Sequence, residues 1–174
     1  MRLQWAAFGL AGAVLLVMAG IIAATQAPTS ETESIQPIAF PHDLHAGKNQ
    51  IPCQYCHTSA DRSPDAGIPA VQVCAGCHIA GGQPLFRRDS AGIRLLAEYW
   101  NQQRPIPWVR IHDLPDHAHF PHMRHIKGGV TCQECHGPVE TMREVVQQQP
   151  LWMGWCIECH RQREVRTDCA VCHY

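Results

Sequence analysis

The sequence predicts a mostly irregular chain with a few short α-helices. It is held together by covalent attachments more than by an apolar core, behind one N-terminal transmembrane helix. Two observations lead there. The 174 residues include 10 cysteines and 12 histidines, an unusual share for a chain of this size. The first twenty-odd residues are almost wholly apolar, whereas the rest is broken by Pro- and Gly-rich stretches. A formal net charge of −1, with 17% charged residues, offers no basic face for nucleic acid and no strongly acidic tail.

Trp5 to Ala24 carries no charge and consists mostly of Ala, Gly, Leu, Val and Ile. Twenty helical residues span about 30 Å, the thickness of a bilayer's hydrocarbon core. A signal peptide has a shorter apolar stretch, roughly 7–15 residues, and a small-residue cleavage site that is lacking here. Residues 1–26 are therefore expected to be a membrane anchor. Arg2 precedes the run and Glu31 and Glu33 follow it, so the positive-inside rule puts the N-terminus in the cytoplasm and the bulk of the chain on the periplasmic side of the inner membrane. Residues 27–39, rich in Pro, Thr, Ser and Glu, read as a linker.

Residues 40–174 divide into two similar units, about 40–80 and 120–174. Each opens with F-P-H-x-x-H (Phe40 to His45, Phe120 to His125), followed by two Cys-x-x-Cys-His motifs; the second unit adds a third motif. The joining segment, 81–119, carries apolar residues at Ile93, Leu96, Tyr99 and Trp100, a helical pattern over Ser90–Gln102 ended by Arg104-Pro105. A second short helix is expected over Val139–Val146, with Pro138 suited to its first turn. Asp61 to Val73 reads as a loop, and no sheet is expected. So little regular structure needs staples.

The staples are Cys53/Cys56/His57, Cys74/Cys77/His78, Cys132/Cys135/His136, Cys156/Cys159/His160 and Cys169/Cys172/His173, which use every cysteine. Two thiols one helical turn apart can add to the two vinyl groups on one edge of a porphyrin, and the adjoining imidazole then reaches the iron. Tetrahedral zinc takes cysteine pairs two at a time, so five pairs leave one over. Neither zinc nor a redox dithiol requires the histidine, and disulfides would not impose one spacing five times. The chain is thus expected to carry five covalent c-type haems, as a multihaem cytochrome c of c7/c3-like kind, with His57, His78, His136, His160 and His173 as proximal iron ligands.

Seven histidines remain: His42, His45, His112, His117, His119, His122 and His125. His42/His45 and His122/His125 each stand at i, i+3, on one side of a helical turn. One iron cannot take both, because its other axial position belongs to the motif histidine, so each pair should serve two haems. For the fifth distal position His112 is the first choice and Met153 the alternative; a methionine would raise that haem's potential. His117 and His119 are weaker candidates and read as surface histidines. Phe40 and Phe120 either pack on porphyrin faces or serve generic packing. The arginines of the clusters Arg87/Arg88, Arg104/Arg110 and Arg161/Arg163/Arg166 suit haem propionates, or an acidic partner.

With these motifs in view, the chain resembles the pentahaem, membrane-anchored cytochrome c subunit of alternative complex III. The resemblance runs through FPHDLHAG, CQYCH, CAGCH, PIPWVRIHDLPDHAHFPHMRH, CQECHG and LWMGWCIECHR. It implies an electron-carrying subunit, with no catalytic residues of its own, in a quinol oxidoreductase that replaces the bc1 complex. The implied partners are an iron–sulfur subunit, polytopic quinol-binding subunits and a monohaem cytochrome c. The implied acceptors are a soluble cytochrome c, a blue-copper protein or an oxidase. Such sequences often carry aromatic residues at the positions of His117 and His119, which demotes both as ligands.

Two other functions compete. A multihaem nitrite reductase marks its catalytic haem with Cys-x-x-Cys-Lys, a motif this chain lacks. A self-sufficient single-span quinol dehydrogenase needs a quinol pocket that one span hardly offers.

Overall fold

The computed structural model describes residues 35–174, which belong to one compact unit. The expected anchor, 1–26, and most of the linker, 27–39, lie outside the described residues. Among those described, no helix is long and apolar enough to cross a membrane.

Helices are short. A π-helical turn, Asp43–Lys48, precedes α1 (Cys53–Cys56) and α2 (Val71–His78). Then come β1 (Ile79–Ala80), β2 (Gln83–Pro84), α3 (Ala91–Asn101), α4 (His122–Lys127), α5 (Cys132–His136) and α6 (Met153–Gln162). Two 3-10 turns, Val139–Thr141 and Cys169–Val171, complete the set.

Each cysteine motif lies on or at the end of a helical turn, which puts its two thiols one turn apart. The motif helices are too short to be stable in isolation, so tertiary contacts must hold them.

The structure departs from the sequence expectations in three places. The loop expected to run to Val73 ends earlier, because α2 begins at Val71. A small antiparallel hairpin pairs Ile79 with Pro84 and Ala80 with Gln83, where no sheet was expected. Its two-residue turn is Gly81-Gly82, both at positive φ (55° and 77°), the backbone that a tight hairpin demands and glycine supplies without strain. The helix expected over Val139–Val146 stops after Thr141. Its ladder is diverted: the Met142 carbonyl accepts the Asp43 N–H (2.8 Å), and β-branched Val139, Thr141, Val145 and Val146 do little to oppose that.

The apolar core is confined to the first unit and the joining segment. Every buried hydrophobic residue among those described, Ala60, Val71, Ala75, Leu96, Ala97 and Ile106, falls between 60 and 106. Val71, Leu96 and Ile106 form its centre, with Ile38, Ile93, Tyr99, Trp100 and Trp108 packed around them. Leu96, only 4% exposed, contributes about 1.5–3 kcal/mol by its removal from water. Asn101 Nδ2 donates to the Gly82 carbonyl (3.0 Å) and thereby ties the hairpin to α3.

The two units brace each other reciprocally. In the first, the Asp43 N–H reaches Met142, and Gly47 abuts the Glu140 carbonyl with no room for a Cβ. In the second, the His122 N–H donates to the Pro64 carbonyl (3.0 Å) and the Met123 N–H to that of Ser63 (3.2 Å). Each histidine turn therefore sits on a loop of the opposite unit.

Candidate haem sites

The F-P-H-x-x-H segments have nearly the same geometry twice. The Phe40 ring meets His42 edge-on (4.8 Å, 83°) and stacks on His45 (4.3 Å, 25°). Phe120 meets His122 (4.8 Å, 88°) and His125 (4.1 Å, 25°) in the same way. The phenylalanines thus act as wedges that set the two imidazoles of each pair. Proline completes the unit: the His45 Nδ1–H donates to the Pro41 carbonyl (2.9 Å) and the His125 Nδ1–H to that of Pro121 (3.0 Å). The duplicated F-P-H was the sequence signal for this role.

Within each pair the two imidazoles face different motif histidines. His45 faces His78 with ring centres 6.1 Å apart, His122 faces His136 at 6.3 Å, and His125 faces His160 at 6.1 Å. His42 lies beside His57. Two metal–imidazole bonds of about 2 Å, with about 1.1 Å from each nitrogen to its ring centre, set two such rings about 6.2 Å apart. The three measured gaps fit one iron each.

The nitrogens fit as well. His45, His57, His122, His125, His160 and His173 each give Nδ1–H to a backbone carbonyl, which leaves Nε2 as the free lone pair. Gly67, at φ 76°, presents the carbonyl for His57 (2.7 Å), and Pro64 presents the one for His122 (2.9 Å). Neither supporting residue stands out in the sequence.

Burial lowers the pKa of His42, His78, His112 and His125, and takes His136 down to about 4, where neighbouring His112, His122 and His57 add to the effect. A histidine so lowered is neutral at pH 7 and can donate its lone pair. Buried and without a hydrogen-bond partner are His42 Nδ1, His78 Nδ1 and His112 Nε2, nitrogens whose desolvation is uncompensated by protein.

None of the ten cysteines forms a disulfide. Burial, reinforced by adjacent thiols, raises the pKa of Cys56, Cys74, Cys132, Cys135 and Cys156. Those adjacencies trace a file of motifs. Cys74 and Cys77 lie beside Cys56. Cys132 faces Cys53 across the two units. Cys135 lies beside Cys159 and Cys156, and Cys156 beside Cys172. The spatial order is thus second, first, third, fourth, fifth motif.

The remaining candidates lie as follows, with His117 and His119 exposed as expected. His112 meets His136 edge-on at 4.3 Å, too close for an iron between the rings. Met153 starts α6 and is 66% exposed. His117 lies against His173 (5.6 Å, 23°), and His119 stacks on Tyr174 (4.5 Å, 25°).

Several arginines already have acidic neighbours: Arg87 with Asp89, Arg110 with Asp113, Arg163 with Glu134 and Arg166 with Asp168. Arg104 lies over the Tyr99 ring, 5.5 Å from its centre.

Comparison with known proteins agrees with the class that these sites define. Residues 118–174 match the family described as cytochrome c7 and related cytochrome c. Over those residues, and in its short helices and mostly irregular backbone, the chain is similar to c7-type multihaem cytochromes c, electron-transfer proteins whose haems are covalently bound. More particularly, it is similar to the multihaem cytochrome c subunit of menaquinone reductase from Nitratidesulfovibrio vulgaris (strain Hildenborough). The two are 31% identical over 101 residues, 58% of this chain and 45% of that protein. The chain spans less than half the length of this curated relative.

Proposed function

We propose that the chain is the electron-transfer subunit of a membrane quinol oxidoreductase of alternative complex III type. It carries five c-type haems and passes electrons from quinol oxidation to a periplasmic acceptor. The observation that carries this reading is the file of five motifs, in which every motif has a neighbour and no proximal histidine stands apart. Histidine pairs at i, i+3 support it, because each pair holds two irons across one turn of backbone. Such an arrangement suits a wire. On this reading quinol chemistry belongs to partners: polytopic quinol-binding subunits and an iron–sulfur subunit. A monohaem cytochrome c, a soluble cytochrome c, a blue-copper protein or an oxidase would take the electrons onward. On this reading residues 1–26 hold the chain in the inner membrane, N-terminus inside, with the haem domain on the periplasmic side.

The test uses the purified full chain. Its intact mass should equal the polypeptide, residues 1–24 included, plus five haems, and EPR of the oxidised protein should be wholly low-spin. A stoichiometric high-spin haem that binds nitrite or carbon monoxide would refute the wire.

A second reading reverses the current. The Nitratidesulfovibrio relative is named as part of a menaquinone reductase. By that likeness, electrons would enter from an extracytoplasmic donor and leave to quinone in partner subunits. Membranes containing the complex decide between them: haem reduction by added menaquinol favours the first direction, and quinone reduction driven by a reduced soluble cytochrome favours the second.

A further inference from the structure

We infer that Leu85, Phe86, Arg87 and Arg88, at the second-motif end of the file, form the docking surface for a soluble, acidic redox protein. The inference rests on the electron-transfer reading and names a partner for it. In the file the second motif stands at one end, with Cys74 and Cys77 beside Cys56 of the first. An end of the file is where a partner can come close to one haem without crossing the others. Here Cys77 is exposed, and the Phe86 ring lies 4.9 Å from that of the motif's own His78. A partner seated on Phe86 would stand one ring away from the side chain that reaches the iron.

The surface has an apolar centre and a basic rim. Leu85 is 50% and Phe86 46% exposed, and Arg87, Arg88 and Arg94 are exposed as well. Interaction surfaces are enriched in aromatic residues and arginine. Between Asp65 and Glu98 the chain carries these three arginines and one acidic residue, Asp89, a formal charge of +2 within a chain of −1. Asp89 stands 4.0 Å from Arg87 with both side chains in water, so the pair is well screened. Arg88 has no acidic partner among the described residues. The fifth-motif end is the reverse. Residues 110–119 and 163–174 hold three arginines against four acidic residues, and each arginine is paired: Arg110 with Asp113, Arg163 with Glu134 and Arg166 with Asp168.

The backbone presents these side chains in a fixed arrangement. The Leu85 N–H donates to the His78 carbonyl (2.8 Å) and extends the β1–β2 hairpin. The Ser90 N–H closes a turn on the Arg87 carbonyl (2.9 Å), with Arg87 itself in left-handed backbone at φ 52°. Arg94 reaches back from α3, its Nη1 donating to the carbonyls of Arg88 (3.3 Å) and Asp89 (2.7 Å). A loop held at both ends loses little freedom when a partner binds. The arginines would speed encounter with an acidic face, and the apolar pair would hold the complex once formed. One electron crosses per encounter, the carrier's metal gaining what one haem iron loses, or the reverse.

The test uses the full chain in detergent and two probes, plastocyanin as an acidic blue-copper protein and mitochondrial cytochrome c as a basic one. Binding is followed by surface plasmon resonance and electron exchange by stopped flow. Plastocyanin should bind about tenfold more weakly at about 200 mM salt than at about 20 mM, and the basic probe more weakly than plastocyanin at both. Arg87→Glu with Arg88→Glu should weaken plastocyanin binding about tenfold, mainly by slower association, and keep the intact mass and EPR spectrum of the wild type. Lys127→Glu with Arg143→Glu makes the same change of charge at exposed positions of the second unit and should alter binding less than about twofold. Leu85→Ser should hasten dissociation. Absence of salt-sensitive binding, tighter binding of the basic probe, equal losses in the two charge-reversed variants, or an unchanged dissociation rate in Leu85→Ser overturns the proposal. So does self-association of the wild type that Arg87→Glu with Arg88→Glu abolishes, since the surface would then serve a second copy. A wild-type mass of fewer than five haems, or a high-spin haem that binds carbon monoxide, fails the underlying reading instead and is told apart by mass and EPR without any probe.

Discussion

The two F-P-H-x-x-H units agree closely in their histidine geometry and differ in what surrounds it. In both, a phenylalanine wedges the pair and a proline carbonyl orients the second imidazole. The first unit adjoins an apolar core around Val71, Leu96 and Ile106. The second, residues 120–174, contributes no buried hydrophobic side chain. A protein interior must still be filled, and in the second unit the haems are what can fill it. The same local device is therefore supported by protein in one half and by cofactor in the other.

The largest test of that contrast is cofactor removal. Cys156→Ala with Cys159→Ala should unfold the second unit and expose 120–174 to limited proteolysis. Cys74→Ala with Cys77→Ala should leave α3 and its core protected. Equal protection in both variants would break the comparison.

Leu96→Ala should cost about 2–5 kcal/mol in denaturant unfolding, since it opens a cavity in the apolar core around Val71 and Ile106. The spectra of the haems in the second unit should not change.

Next comes Gly47→Ala, which should cost about 1–3 kcal/mol because a Cβ there meets the Glu140 carbonyl, backbone that cannot easily retreat. The corresponding position in the second unit is Lys127, which is exposed, and Lys127→Ala should stay within about 0.5 kcal/mol of wild type.

Smallest is Thr131→Ala. Thr131 opens α5 in a capping box, its hydroxyl donating to Glu134 Oε1 at 3.3 Å, so losing that hydroxyl should cost about 0.5–1 kcal/mol by thermal melt. Its counterpart at α1 is Pro52, which has no side chain to cap with.

The parts legible in the sequence are those encoded locally. The helix over Ala91–Asn101 follows from apolar spacing, and the i, i+3 spacing of the histidines follows through to rings that face two different motif histidines. Gly81-Gly82 was a readable hairpin signal that the expectation passed over. The features that resisted reading are tertiary. The helix after Pro138 fails because a residue about a hundred positions away takes its carbonyl. His117 is exposed, as expected, but lies against His173, and His112 lies edge-on to His136, pairings that no local pattern announces. The order of the motifs in space departs from their order in the chain, because Cys53 meets Cys132 through packing that no local pattern records.

The reciprocal bracing has a kinetic consequence. The turn at 43–48 gains its Met142 partner, and the turn at 122–127 its Ser63 and Pro64 partners, only when distant stretches of chain meet. Contacts of such long sequence separation form late. The first histidine turn therefore gains its bracing only after the second unit has been made.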